Sequence, residues 1–98
     1  GHHEGYEVIF KQTSGSIIAT YDKNGKIVSS FERFTNLNLP PTIRNNIAKK
    51  YPNWIVFKDA YLVSYYVDSK HVKKVYKIQI RKENERKNLR CTVDGVIL

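Results

Sequence analysis

A chain of 98 residues has room for one hydrophobic core and none for a second domain. Hydrophobic residues at 41% and aromatics at 12% exclude intrinsic disorder, and no apolar run approaches the ~20 residues that a helical membrane span requires. The formal net charge is +8, and the segment Lys70 to Arg90 holds nine bases against two acids, which favours acidic partners without naming them.

There is no methionine, and Gly1-His2-His3 reads as tag leftover or a trimmed end. Residues 1–5 are therefore set apart as such a remnant or a disordered end, with upstream sequence, such as a signal peptide, expected to have been removed. Cys91 stands alone, so it forms no internal disulfide and leaves the redox compartment undecided.

Tyr6 to Lys11 alternates, with Tyr6, Val8 and Phe10 on one face and Glu7, Ile9 and Lys11 on the other, the period of a strand. Gln12 to Ser16 breaks it. Ile17 to Tyr21 is β-branched and meets a turn at Asp22-Lys23-Asn24-Gly25, after which Lys26 to Phe34 returns antiparallel. Pro40-Pro41 suits the first turn of a helix, and Ile43, Ile47 and Tyr51 make one apolar stripe before Pro52 stops it. A helix over about residues 40–51 is too short to stand alone and needs a sheet to lie on. Trp54 to Val67 reads as a long or bent strand and Val72 to Lys82 as the clearest one. In the latter, Tyr76, Ile78 and Ile80 face one way and Val75, Lys77, Gln79 and Arg81 the other. Glu83 to Lys87 reads as a charged connection, Leu89, Cys91 and Val93 as a shared face, and Asp94-Gly95 as a final turn. The fold class expected is α+β: an antiparallel sheet of hairpins with one short helix packed on one face.

Two segments echo each other 70 residues apart: Tyr6-Glu7-Val8-Ile9-Phe10 and Tyr76-Lys77-Ile78-Gln79-Ile80. Each is followed by a second strand and a glycine turn, Ile17 to Gly25 against Leu89 to Gly95, with a longer turn in the first copy. Residues 6–98 thus divide into a first unit, 6–34, lacking its helix, and a second, 39–98. Across these residues the sequence resembles the PepSY-like family of bacterial exported proteins, whose fold is similar to that of β-lactamase-inhibitor protein. The likeness rests on the strand at Tyr6, the Tyr21-Asp22-Lys23-Asn24-Gly25 turn, the Leu39-Pro40-Pro41-Thr42-Ile43 helix start, Ile47, Tyr51-Pro52, Tyr76-Lys77-Ile78 and Asp94-Gly95. It implies export to the periplasm or cell surface of a bacterium and a binding or inhibitory role, with no reaction and no transferable site residues. The chain departs from the family in having no helix before Tyr6 and in its basic last hairpin.

Catalytic signatures are missing: no Gly-x-Ser-x-Gly, His-Glu-x-x-His or phosphate loop occurs. His2, His3 and Glu4 are of metal-ligating type but have no downstream Cys or His at ligand spacing, and His71 is isolated in a turn. Cys91 between apolar neighbours reads as a buried, inert thiol, and Glu83 with Glu85 as solvating charges. The expectation is a non-enzyme without metal or cofactor. Its candidate contact set is Lys77, Gln79, Arg81 and Arg90, joined by Tyr61 and Tyr65, on a sheet face that grips a protein or an anionic envelope component. The alternative is nucleic-acid binding by the basic hairpin 70–90, with lysines on phosphates and tyrosines on bases. Self-association through unpaired sheet edges is a third reading.

Overall fold

The computed structural model describes residues 5–69 and 71–98, so the readings placed on His2, His3, Glu4 and Lys70 lie outside the described residues. Alternating side chains and short polar turns produce six strands: β1 (Tyr6–Gln12), β2 (Gly15–Tyr21), β3 (Ile27–Thr35), β4 (Ile55–Tyr66), β5 (Val72–Lys82) and β6 (Glu85–Cys91). They pair antiparallel in chain order, and α1 (Pro41–Lys50) is inserted between β3 and β4. An antiparallel sheet with one short helix is therefore the observed architecture.

The helix begins where Pro40 (φ −53°, ψ 142°) sets an extended entry and Pro41 occupies the first helical position, where its missing N–H costs no intrahelical bond. It ends as the Tyr51 N–H donates to the Ile47 carbonyl at 2.8 Å, and Pro52 prevents continuation. Lys49 and Lys50 place positive charge at the negative end of the helix dipole. The loop before the helix is fixed by the Leu37 N–H, which donates to Asp59 Oδ1 at 3.0 Å.

Register separates the side chains into two faces. Tyr76 opposite Cys91 and Ile78 opposite Leu89 share one face; Lys77 opposite Arg90 and Gln79 opposite Asn88 share the other. Ile78, Ile80, Leu89 and Cys91 form one buried cluster with Leu39, Ile43 and Ile47, and Tyr51, Trp54, Tyr76 and Ile97 close around it. Outside this cluster, the buried hydrophobic side chains among the described residues are Ala19 and Ala60. The core thus sits at the β5–β6 end. The radius of gyration, 16.7 Å, exceeds the ~13 Å of a compact chain of this length, and the long axis reaches 52 Å.

Two local expectations are corrected. Glu83 to Lys87 is not a long connection: Lys82 pairs with Glu85, so only Glu83 and Asn84 turn the chain. Glu83 takes the positive φ (55°) that tight hairpins need, without the glycine that would have advertised it. Val93 does not share the face of Leu89 and Cys91, because β6 ends at Cys91 and Val93 lies exposed in the turn that follows. That turn is held by the Thr92 N–H donating to the Val96 carbonyl and by Gly95 at φ 94°.

Ile80 is completely buried, so Ile80→Ala is expected to lower unfolding free energy by about 2–5 kcal/mol, read from urea midpoints. A loss under about 1 kcal/mol would place the core elsewhere. Burial also pushes the Cys91 thiol above its ordinary 9.0. Its contribution to stability is therefore intact at neutral pH and is lost as pH climbs past 9.0 toward the raised value. A thiol reagent at about pH 8 should label Cys91 only at the rate of unfolding; immediate labelling of folded protein would contradict its burial.

Candidate anion-binding groove

The sheet face opposite the buried cluster carries the excess charge. Following register outward from β5, Lys77 faces Arg90 across β6 and Ala60 across β4, while Gln79 faces Asn88 and Lys58. Across β3, Leu62 faces Arg33 and Ser64 faces Phe31. All of these except Ser64 line a shallow groove of about 770 Å³. A second hollow of about 510 Å³ shares Phe31, Leu62, Lys77 and Arg90 with it and extends toward Lys73 and Leu98.

The groove pairs an apolar floor with a cationic rim. Phe31, Ala60 and Leu62 supply the floor, and Arg33, Lys58, Lys77 and Arg90 the charge; among the described lining residues Asp59 is the one acid. One oxygen of its carboxylate already accepts the Leu37 N–H. Gln79 Nε2 donates to Asn88 Oδ1 at 3.2 Å, whereas Gln79 Oε1 is buried without a hydrogen-bond partner. Unsatisfied polar atoms of this kind cost free energy.

Like charges also oppose each other directly: Lys77 against Arg90 and Arg81 against Arg86. Such cross-strand pairs are destabilising. The Arg81 guanidinium is held below its ordinary value by burial first and by Arg86 second. Its Cζ lies 3.3 Å from the Phe57 ring centroid, so a π face offsets part of that repulsion. Phe57 reaches this position because a β-bulge between Val56 and Lys58 inserts it as an extra residue in β4.

The sequence-derived contact set divides between the two faces. Lys77, Gln79 and Arg90 line the groove, and Arg81 lies on the same face beside it. Tyr61 and Tyr65 lie on the other face, opposite Tyr76 and Val72; the Tyr61 and Tyr76 rings are 4.6 Å apart. Burial foremost, then Tyr61 and Asp59, raise the Tyr76 phenol above its ordinary 10.0. Arg33, Lys58, Phe31 and Asn88 complete the groove and were not singled out from the sequence. Alternation places Phe31 and Arg33 on one face of β3, but which face follows only from pairing with β4. His71 is exposed in its turn, Cys91 is buried on the far face, and among the described residues no group of three or more His, Cys, Asp or Glu gathers. Nor is any helix among the described residues long and apolar enough to cross a membrane, which says nothing of a β-barrel.

No family model matches the chain, and no curated protein matches it. Solved structures do match it. The chain is similar to a DUF2874 family protein from Bacteroides ovatus ATCC 8483, with TM-score 0.56 and 18% identity over 99% of this chain and 68% of that one. It is likewise similar to a DUF2874 family protein from Bacteroides uniformis ATCC 8492, with TM-score 0.58 and 16% identity over 100% of this chain and 71% of that one. The shared property is the fold. At these identities the similarity carries no residue roles.

Replacing one member of an opposed cationic pair with an acid turns repulsion into attraction. Arg86→Glu is expected to stabilise the protein by about 0.2–1 kcal/mol in urea unfolding at low salt, with the gain shrinking at high salt. A destabilised variant would show that Arg81 and Arg86 do not repel.

Proposed function

We propose that this chain is a non-catalytic, PepSY-like binding module of an exported bacterial protein, with α1 laid against one face of the sheet and the groove on the other face receiving an acidic, partly apolar polypeptide segment. The observation that carries the reading is the concentration of Arg33, Lys58, Lys77 and Arg90 around Phe31 and Leu62 in one uncovered furrow. Opposed cations that weaken the free protein are relieved when a carboxylate lies between them, so ligand binding recovers what the fold gives up. Exposed Phe57 and Ile55 widen the apolar part of this face beyond the groove.

The test is a titration with a synthetic peptide alternating glutamate with leucine and phenylalanine, followed by fluorescence anisotropy across salt. Lys77→Glu with Arg90→Glu should weaken binding by roughly tenfold or more, while Lys49→Glu with Lys50→Glu, which makes the same charge change on the helix, should act only through screening. Equal affinities for the groove variant and the helix variant would sink the groove as the binding site. Preference for a single-stranded oligonucleotide of matched charge, with a steep salt dependence, would transfer the face to nucleic acid.

A further inference from the structure

The two hairpins that flank the sheet are superposable in register, and among the described residues only one of them is covered. Tyr6 pairs with Tyr21, Val8 with Ala19, Phe10 with Ile17 and Gln12 with Gly15. Tyr76 with Cys91, Ile78 with Leu89, Ile80 with Lys87 and Lys82 with Glu85 repeat those pairs 70 positions later. The separation holds through the turns, so the two copies have equal turn lengths, and Ala19 rather than Ile17 answers to Leu89. Asp22 N–H donates to the Lys26 carbonyl as Thr92 N–H does to that of Val96, and Gly25 (φ 79°) donates to Asp22 as Gly95 does to Thr92. Even the pairing of Tyr21 with Ile27 returns as Cys91 with Ile97.

Pairing through β2, β3 and β4 places Tyr6, Val8 and Phe10 on the same sheet face as Tyr76, Ile78 and Ile80. In the later hairpin Ile43 and Ile47 of α1 exclude water from this face, and Ile78 and Ile80 are 2% and 0% exposed. Their counterparts Val8 and Phe10 have no such cover among the described residues, and Phe10 is 55% exposed. The helix also reads the glycine turn: Asn46 Nδ2 donates to the Gly95 carbonyl at 2.8 Å, and a Cβ at Gly95 would fall 2.8 Å from Thr42 Cγ2. Gly25 has the same backbone form, yet a Cβ there would meet nothing nearer than the Tyr6 hydroxyl at 3.7 Å.

We propose that the β1–β2 hairpin is an acceptor site for an amphipathic α-helix from a polypeptide partner. That helix carries an aliphatic pair four residues apart and a side-chain amide three residues after the first of them, as Ile43, Ile47 and Asn46 do in α1. The site is continuous with the surface α1 covers, since Phe34, Tyr61 and Val63 bridge the two along one sheet face. The helix crosses Val8 and Phe10, and its amide donates to the Gly25 carbonyl. A following extended segment pairs with β1, whose outer edge is free in the strand order. This site lies on the opposite face from the cationic groove and does not depend on it.

A synthetic peptide of residues 39–66, which contains α1 and β4, serves as the probe against the intact chain, with amide shift mapping and anisotropy as readouts. Binding is expected to shift β1 and Gly25. Phe10→Glu should weaken it by roughly tenfold or more, because burial of a large apolar side chain is lost. Ile9→Glu, equally exposed at 55% but on the other face of the same strand, should leave it unchanged. Equal weakening by both variants, or no binding up to about 1 mM, would overturn the proposal. Shifts centred on Ile78 and Ile80 would also overturn it, showing exchange of the protein's own helix. Self-association of the chain abolished by Phe10→Glu, without peptide binding, would overturn it in favour of a second copy.

Discussion

The buried cluster that gathers Ile43 and Ile47 with Ile78 and Ile80 organises the rest of the molecule. A ten-residue helix is marginal in water, and its apolar stripe persists as structure only when buried. Burial of Ile78 and Ile80 in the cluster that holds it fixes which face of β5 is dry. Because side chains alternate with a period of two, this choice propagates by pairing to all six strands. The cationic groove is a consequence of the same constraint: with Ile78 inside, Lys77 and Gln79 must point outward on the other side.

The sheet is consequently asymmetric in two senses. Across its thickness, one face is aliphatic and aromatic and the other is basic. Along its width, water is excluded from one face at β5–β6 but reaches both faces of β1, where Ile9 and Phe10 are each 55% exposed on opposite sides of the strand. These gradients run at right angles, so the proposed groove and the proposed helix acceptor share neither residues nor electrostatics.

Much of this was legible in the residues. Alternation in Tyr6–Lys11 and Val72–Lys82, the Asn24-Gly25 turn and the Pro40-Pro41 entry locate strands and helix to within about two residues, because each reflects a local stereochemical demand. The Glu83-Asn84 turn was hidden because a non-glycine residue takes the positive φ. Assigning Tyr61 and Tyr65 to the side of Lys77 fails for a different reason. The bulge at Phe57 and the register between strands decide relative facing, and neither is written in a single strand's pattern. The same limit conceals Arg33 and Lys58, which reach the groove from β3 and β4 only after pairing. The 70-residue echo was visible as similar letters, but the constancy of its spacing emerges only from hydrogen-bond partners.

Strand order that follows chain order has a kinetic corollary. Each ladder joins segments adjacent in the polypeptide, and even the β3–β4 connection that holds the helix closes a loop of modest length. Sheets assembled from such neighbouring pairs meet little entropic resistance to closure, in contrast to sandwiches whose partners are far apart along the chain. Folding can therefore proceed as a zipper, with the terminal hairpin and its helix condensing first and the remaining strands adding one at a time toward the amino terminus.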